Sequence, residues 1–396
     1  MNNTGYSAHR VASPQPTQIE LITAPLPLWA WLSTFLLAVA LLTAFYYIDL
    51  NKLIVTNGQA WFSLVRNERD DAAYAAATVF SGNANRADIV ILGTSATREA
   101  LWLDESLEAA IANQGASALD IVNLATKGQS LLETYYLIDK TRPHRGQIFI
   151  VFLGFSGIIC EPKSHKILED DFLQSTGTWL NEKISAGLVD RNTFANGKLV
   201  RVQWRAQRRM LERQVRYRFT HWAGQTIYGN KNQTYNPFYF QGMAGGNLET
   251  LGRDFQFRSR QIEQATQDIN LEYVVRLLAE AAKLIRNAGG QLVLVAAPDN
   301  QQAFIRAFPD KHRNFLAAMG TLRTKHRLNV VNFNSRVKWA QTDFIDHVHV
   351  SNSGRDKWSH AFVEWLVSMG DPAQLKPASN IPTFSPIKST LTLLNE

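Results

Sequence analysis

The fold of this chain is decided by one short segment, Ile89-Val90-Ile91-Leu92-Gly93-Thr94-Ser95-Ala96-Thr97-Arg98. Its first four residues form an apolar run, and the residues after Gly93 are compatible with a helix. This pattern predicts a buried strand that leads through a tight turn into a helix. Ser95 would then lie at the carboxyl end of the strand, which is where open α/β sheets bind their ligands.

Similar apolar runs recur along the chain with helix-compatible stretches between them. Helices are predicted at Leu101 to Ala112, Leu131 to Lys140 and Leu271 to Asn287, the last ended by a Gly-Gly pair. Strands are predicted at Asp88 to Leu92, Asp120 to Leu124, Gln147 to Leu153, Gln291 to Ala297 and Asn329 to Phe333. Continuous apolar strands that alternate with helices indicate an α/β fold, a doubly wound parallel sheet covered on both faces.

Composition limits the classes of protein to consider. The chain has 396 residues, of which 45% are hydrophobic and 19% charged, so it is long enough for one large globular domain or two ordinary ones. Its single cysteine, Cys160, excludes an internal disulfide framework, and no Cys/His spacing suggests a zinc site. Stability must therefore come from the hydrophobic core.

A long apolar segment near the N-terminus, Leu28 to Ile48, follows a tail of residues 1–27 and predicts a transmembrane helix. Aromatic residues lie at both of its ends, as is typical of membrane spans. A cleaved signal peptide is the alternative, because Ala38-Val39-Ala40 has the small-x-small form. We favour an uncleaved anchor, since the apolar run continues beyond that site and no basic residue directly precedes it. Charge does not fix the topology, because Arg10 precedes the span and Lys52 follows it.

Three further regions flank or interrupt the predicted α/β domain, residues 86–370. A connecting helix, Asn57 to Ala77, and a turn, Ser81 to Asn85, are predicted in the interval 49–85. An inserted helical subdomain occupies about 157–270, and a proline-containing extended tail covers 371–396. The insertion carries seven arginines, Arg201, Arg205, Arg208, Arg209, Arg213, Arg216 and Arg218. They form either a solvated helix face or a basic surface for lipid head groups, an acidic polymer or a partner protein. Nucleic acid is not expected, because no binding motif accompanies the basic composition.

A second segment, Asp346-His347-Val348-His349-Val350-Ser351-Asn352-Ser353-Gly354, contains the partners that a nucleophilic serine requires. A serine hydroxyl reacts at neutral pH only with a base within hydrogen-bond reach and a group that orients this base. The spacing of Asp346 and His349 allows the carboxylate to reach Nδ1 while Nε2 faces Ser95. The backbone N–H groups of Ser95 and Gly128 could hold the anion of a tetrahedral intermediate.

Each of these residues also has a purely structural interpretation. Ser95 or Thr94 could cap a helix. Asp346, His347 and His349 could precede a helix that starts at Asn352 or Ser353, or could bind a metal ion. A metal site is less favoured, because no second cluster of ligands accompanies the first. The serine segment and the Asp-x-x-His segment together favour catalysis.

The two segments resemble the motifs of the SGNH hydrolases, a family of GDSL-like esterases and acyltransferases. Gly93-Thr94-Ser95 is similar to the first block of the family, Gly128 to the glycine of the second, and Asp346, His349 and Gly354 to the last. The resemblance covers about residues 86–156 and 271–368. It implies an SGNH-like three-layer sandwich in which Ser95 is the nucleophile, His349 the general base and Asp346 its orienting partner.

Two departures from the family pattern refine this expectation. The third block, usually Gly-x-Asn, is here Gly154-Phe155-Ser156, so a Ser156 hydroxyl would replace an amide in the oxyanion hole. A missing donor there can cost about a hundredfold in rate.

The first block continues to Arg98 as Thr-Ser-x-x-Arg, which resembles a membrane-anchored branch that includes the alginate O-acetylation proteins and the D protein of teichoic-acid D-alanylation. Arg98 would either orient an acidic or acyl-carrying substrate or form a salt bridge.

The resemblance implies a single-pass inner-membrane protein whose C-terminal domain lies in the periplasm. Its expected function is O-acylation, in the first place acetylation, of an exported polysaccharide through an acyl-enzyme on Ser95. Expected partners are the polysaccharide and a membrane-bound O-acyltransferase or a polymer synthase, and no cofactor or metal is expected. The alternatives are an esterase that uses the same triad with water and a non-catalytic scaffold of a synthesis complex.

Overall fold

The structure is a computed structural model that describes residues 27–47, 74–75, 78–79, 82–115, 117–154, 168, 176–189, 238, 271–298, 300, 309–346 and 348–369. The chain divides into two compact units, Met1–Asp49 and Leu50–Glu396. Several predicted features lie wholly or largely outside the described residues: the connecting helix, Ser156, most of the insertion with its arginines, and the C-terminal tail.

The first unit contains one helix, α1 (Leu28–Tyr47), in its described part. The hydroxyls of Ser33 and Thr34 donate to the carbonyls of Trp29 and Ala30 at 2.8 Å, so neither polar group needs an external partner. Within the described residues, no helix combines the length and the hydropathy of a membrane-crossing segment. The span Leu28 to Ile48 stays a prediction.

The second unit is built on five parallel strands. They are β1 (Ile89–Leu92), β2 (Ile121–Asn123), β3 (Ile148–Leu153), β4 (Gln291–Ala296) and β5 (Asn329–Val331), and their order in the sheet is β2-β1-β3-β4-β5. In the register, Ile89 of β1 pairs with Ile121 on one side and with Ile148 on the other. The predicted α/β class with a parallel sheet is confirmed.

Helices cover both faces of this sheet. The described helices after α1 are α2 (Asn83–Arg86), α3 (Ser95–Ala100), α4 (Asp104–Asn113), α5 (Leu131–Thr141), α6 (Thr176–Ser185), α7 (Leu271–Asn287), α8 (Pro309–Thr324) and α9 (Asn352–Ser368). Ile89 and Ile91 pack with α4 and α9, whereas Val90 and Leu92 pack with α5, α7 and α8. Because both faces of the central strands are buried, β1 and β3 are apolar at every position, and β4 is apolar after Gln291.

The strand order places a topological switch point at the carboxyl end of β1. From β1 the chain passes to β2 on one side and then crosses to β3 on the other, so the connections diverge between β1 and β3. Doubly wound sheets bind ligands at such a switch point, outside the carboxyl ends of the strands. Ser95 directly follows this end of β1.

One edge of the sheet is closed by helix α4. Because β2 is at the edge of the sheet that the described strands form, the N–H groups of Ile121 and Asn123 bond to no strand within it. They donate instead to Glu108 Oε1 at 2.8 Å and Asp104 Oδ2 at 3.0 Å. The two acidic residues are four apart on α4 and therefore project from the same side of the helix.

The element bounds differ from the predictions at a few points. The helix predicted from Leu101 begins at Asp104, because Leu101 is extended (φ −111°, ψ 148°) and ends the separate helix α3. Part of the predicted turn at residues 81–85 is the short helix α2, which Gly82 precedes with φ 77°. Helix α8 was not predicted, and α6 lies in the insertion, for which helices were expected without bounds. All five strands are one or two residues shorter than expected.

Candidate active site

The turn that carries Ser95 depends on Gly93. This residue has φ 156°, and a Cβ atom placed on it would lie 2.2 Å from Thr97 Oγ1 and 3.3 Å from Phe152 Cβ. A side chain is therefore excluded by both the backbone conformation and the surrounding space. The next residue, Thr94, is the N-cap of α3, and its hydroxyl accepts the Ala96 N–H at 3.3 Å. Thr94 therefore caps the helix, so the Ser95 hydroxyl is not needed for capping.

The general base His349 is carried by the loop from Asp343 to Ser351, called the base loop, which is closed by backbone hydrogen bonds before α9 begins. The Ile345 N–H donates to the His349 carbonyl at 2.9 Å, and Phe344 forms a bridge with Val350. Where the two ends of the loop meet, the Ser351 N–H donates to the Asp343 carbonyl at 2.8 Å. These backbone bonds fix the positions of the residues between them.

Gly354 allows α9 to approach this loop closely. A Cβ atom at Gly354 would lie 2.2 Å from the Asp343 carbonyl oxygen and 2.9 Å from Val350 Cβ. The first turn of α9 thus packs directly on the backbone of the loop. Glycine is required at this position for close packing, which gives a physical reason for the glycine that follows the Asp-x-x-His motif five residues later.

The two segments meet in a continuous chain of hydrogen bonds. Ser95 Oγ lies 2.9 Å from His349 Nε2, and His349 Nδ1 lies 2.8 Å from Asp346 Oδ2. The other carboxylate oxygen, Asp346 Oδ1, accepts the N–H groups of Val348 at 2.9 Å and of His349 at 2.7 Å. Asp346 and His349 are both buried. The structure therefore brings together the three side chains that the sequence suggested as a triad.

This arrangement assigns a direction to proton transfer. An ionised carboxylate only accepts hydrogen bonds, so the Nδ1 atom facing Asp346 carries the proton in the neutral imidazole. Nε2 is then the acceptor and faces the Ser95 hydroxyl. A base in this tautomer can remove the proton from Ser95 while Asp346 stabilises the resulting imidazolium.

Two of the three predicted oxyanion donors lie in described parts of the chain. Gly128 has φ 69°, and its loop is held beside the nucleophile turn by the Thr126 N–H, which donates to the Gly93 carbonyl at 3.1 Å. The Ser95 N–H belongs to the first turn of α3, where N–H groups have no partner within the helix. Ser156, the third predicted donor, lies outside the described residues.

Arg98 lies inside the protein. Its side chain is buried, and its Nη2 atom lies 3.5 Å from Glu99 Oε1. This contact corresponds to the salt bridge that the sequence offered as the alternative to a substrate contact. Arg98, itself a residue of α3, belongs to a buried cluster with Glu99.

Sequence reasoning missed Asp343, which anchors the start of the base loop. Its carboxylate accepts the Ala340 N–H at 2.6 Å, the Ser353 hydroxyl at 2.6 Å and the Lys357 ammonium at 2.7 Å. Burial alone would raise the pKa of Asp343, but these three hydrogen bonds outweigh it and hold the pKa below its usual value. The available signal was the spacing of Ser353 and Lys357, which puts two donors on one face of α9.

No protein-family model matches this chain, and a search of curated proteins gives no match. A functional assignment therefore rests on the residues of the chain itself. The strongest of these observations is the hydrogen-bonded row of Ser95, His349 and Asp346 at the switch point of the sheet.

Proposed function

We propose that this protein is a membrane-anchored, SGNH-like acyltransferase that O-acylates an exported cell-envelope polysaccharide through an acyl-enzyme on Ser95. One observation carries the proposal: the hydrogen bonds from Asp346 to His349 to Ser95 connect a carboxylate, an imidazole and a hydroxyl in the order that nucleophilic catalysis requires. Their position at the carboxyl end of β1, in the crevice where parallel sheets bind ligands, supports it further.

The first half-reaction would load the acyl group onto the enzyme. Ser95 Oγ attacks the carbonyl carbon of an acyl ester or thioester donor, and its proton passes to His349 Nε2. Asp346, 2.8 Å from Nδ1, stabilises the imidazolium. The bond between the carbonyl carbon and the donor's oxygen or sulfur then breaks, and the leaving atom takes the proton from Nε2.

The second half-reaction would return the serine to its free state. A sugar hydroxyl of the polymer attacks the acyl-Ser95 ester while His349 Nε2 accepts its proton. The bond to Ser95 Oγ breaks, and the serine recovers a proton from His349. In both steps the N–H groups of Ser95 and Gly128, together with the Ser156 hydroxyl, would stabilise the oxyanion.

The setting of this chemistry is proposed from the sequence. The layered α/β architecture is consistent with an SGNH-like sandwich into which a helical subdomain, about residues 157–270, is inserted. Leu28 to Ile48 would anchor it in the inner membrane with the domain in the periplasm, where a membrane-bound O-acyltransferase or a polymer synthase would be its partner.

An esterase is the second candidate, and the triad geometry favours it as strongly. The hydrogen-bonded Ser95 and His349 could activate water as readily as a sugar hydroxyl. The acceptor distinguishes the two functions. An esterase would release free acid from a soluble acetyl ester rapidly and would leave the polymer unacylated.

Replacing Ser95 by Ala tests the proposal directly. We expect Ser95→Ala to reduce acylation of the polymer by about 10⁴-fold or more, because the nucleophile is lost while the fold is kept. The readout is the acyl content of the exported polysaccharide at equal protein level. Ser106→Ala is a matched control, since Ser106 is an exposed serine on α4.

Wild-type acylation in the Ser95→Ala strain would remove the serine from the mechanism. The non-catalytic scaffold would then be the better explanation, provided that deletion of the protein still abolished acylation. A covalent acyl group trapped on Ser95 of the wild-type protein would exclude the scaffold.

A further inference from the structure

Helices α3 and α9 share a buried cluster of three charged residues that the mechanism above does not use. Glu99, Arg98 and Arg355 have only 0%, 3% and 7% of their surface exposed. Glu99 follows Ser95 by one helical turn on α3, and Arg355 lies in the first turn of α9, shortly after His349. The cluster thus connects α3, which begins at Ser95, with α9, which begins three residues after His349.

Arg355 makes this connection with three separate donors. Its Nε donates to the Glu99 backbone carbonyl at 2.7 Å, and its Nη2 donates to Glu99 Oε2 at 3.2 Å. On its own helix, Nη1 donates to Asn352 Oδ1 at 3.2 Å. A planar guanidinium held at three points fixes the distance and the orientation between α3 and α9.

Further contacts continue this junction along the two helices. The Ser359 hydroxyl donates to the Ala100 carbonyl at 3.3 Å and accepts the Trp102 N–H at 2.9 Å. Towards the site, the Arg355 N–H donates to the Ser351 carbonyl at 2.8 Å, and the Ser351 N–H is bonded to the base loop. A shift of Arg355 would therefore be transmitted to His349 through only a few rigid contacts.

The guanidinium is also covered by an aromatic ring from the region of the predicted insertion. Arg355 Cζ lies 3.8 Å from the centroid of the Phe238 ring, within the range of a cation–π contact. Glu99 and Phe238 together restrict the guanidinium on different sides. The side chain is thus held more firmly than an ion pair alone would hold it.

We propose that Arg355 is a positioning residue that sets the Ser95 to His349 distance by tying Glu99 on α3 to the start of α9. This inference rests on the proposed function, because it concerns the rate at which Ser95 is acylated. Buried ion pairs by themselves add little to stability, so a purely stabilising role does not explain the arrangement. A small misplacement of reacting groups, by contrast, can cost about a hundredfold in rate.

Lysine cannot replace arginine in this role. Its ammonium could still pair with the Glu99 carboxylate, but it has no planar fork with which to bond the Glu99 carbonyl and Asn352 at the same time. Arg355→Lys therefore preserves the charge and removes the geometry. Glu99→Gln is the complementary change, since it preserves the shape of the acceptor and removes its charge.

The test measures acylation of the full-length, detergent-solubilised protein by p-nitrophenyl acetate, as the burst of p-nitrophenol, with peptide mass spectrometry to locate the acetyl group on Ser95. We expect Arg355→Lys and Glu99→Gln to lower the maximal acylation rate by about 10- to 100-fold. The half-saturating ester concentration should change by no more than about twofold, because no substrate contact is removed.

Leu322→Ala is the matched control for lost stability. Leu322 is buried on α8, which packs on the opposite face of the sheet, so its truncation destabilises the domain without touching the junction. At a temperature where all variants are folded, Leu322→Ala should be acylated at the wild-type rate.

A wild-type rate in folded Arg355→Lys and Glu99→Gln would overturn the positioning role. If wild-type Ser95 is not acetylated at all, the proposed function itself fails, and the positioning role with it.

Discussion

Two regions of the second unit use aspartate side chains to hold backbone N–H groups, and they differ in the charges that face the carboxylate. In the base loop, Asp343 accepts the Ala340 N–H and is paired with the Lys357 ammonium. At the β2 edge, Asp104 accepts the Asn123 N–H, but the charged groups that act on it within the described residues are acidic. The backbone hydrogen bond is alike in the two regions, and the electrostatic surroundings are opposite.

The difference appears in the protonation of the two carboxyl groups. Burial raises the pKa of Asp104 to about 7, and the charges of Glu105, Glu108 and Asp120 act in the same direction, against the hydrogen bond from Asn123. The pKa of Asp343 is lowered instead, because its donors outweigh the effect of burial. At Asp104 one backbone donor does not offset the effects of burial and of acidic neighbours on the pKa, whereas at Asp343 a cation and a hydroxyl, added to the backbone donor, offset the effect of burial.

The largest effect is expected where the base loop meets α9. Gly354→Ala would place a Cβ atom 2.2 Å from the Asp343 carbonyl oxygen, and a main-chain carbonyl cannot rotate away as a side chain can. We expect about 3 kcal/mol of lost stability and at least a 100-fold slower acylation of Ser95. Urea unfolding and the p-nitrophenyl acetate burst measure the two quantities.

Gly320→Ala provides the control for this change. Gly320 lies inside helix α8, and a Cβ atom there would meet nothing within 4 Å. Because alanine is the better helix former, this variant should be as stable as the wild type or up to about 1 kcal/mol more stable. Similar losses in both variants would contradict the importance of close packing at Gly354.

A smaller loss is expected when Asp343 can no longer ionise. Asp343→Asn should lower stability by about 2 kcal/mol at pH 7, because the charge-assisted bonds to Lys357 and Ser353 are weakened. The folded pKa of Asp343 lies below the unfolded one, so its contribution is complete above about pH 4 and is lost as the pH falls further. The gap between variant and wild type should therefore narrow in urea unfolding at pH 3. A gap of equal size at both pH values would show that ionisation is not involved.

The smallest effect, and one of opposite sign, is expected at the β2 edge. Because the folded pKa of Asp104 lies above the unfolded one, the wild type loses stability as the pH rises from about 4 to about 7. Asp104→Asn removes this loss, so the variant should be about 1 to 2 kcal/mol more stable than the wild type at pH 8. The two proteins should be nearly equal at pH 4. Thermal unfolding at both pH values measures the difference.

Asp310→Asn is the matched control, because Asp310 is an exposed aspartate on α8. It should change stability little at either pH. If Asp104→Asn destabilised the domain at pH 8, the ionised carboxylate would be the better acceptor for the Asn123 N–H, and the contrast between the two regions would disappear.

Local patterns in the sequence were sufficient to predict the sheet and the residues of the candidate site. The apolar run before Gly93 marks β1, and the spacing of Asp346 and His349 within one loop determines that they can meet. The meeting of Ser95 and His349 follows from the fold class, since the carboxyl ends of parallel strands share one edge.

Features that depend on the packing of distant helices could not be predicted. Glu99 and Arg355 are separated by more than 250 residues, and no local pattern marks them as partners. Asp343 and Lys357 are much closer in the chain, and the spacing of Ser353 and Lys357 puts both donors on one face of α9, but they reach Asp343 only when α9 packs on the base loop. Helix α8 is a different case, because its buried residues Phe315, Met319 and Leu322 do follow the spacing of a helix face, and this signal was missed.

The carboxylates on β2 also affect how copies of this protein meet one another. An exposed strand edge can pair with the edge of a neighbouring molecule and so start aggregation. Here an incoming strand would first have to displace Glu108 and Asp104 from the N–H groups of Ile121 and Asn123. Two acidic side chains would then lose their hydrogen-bond partners, so this end of the sheet resists growth by strand addition even when copies are crowded together.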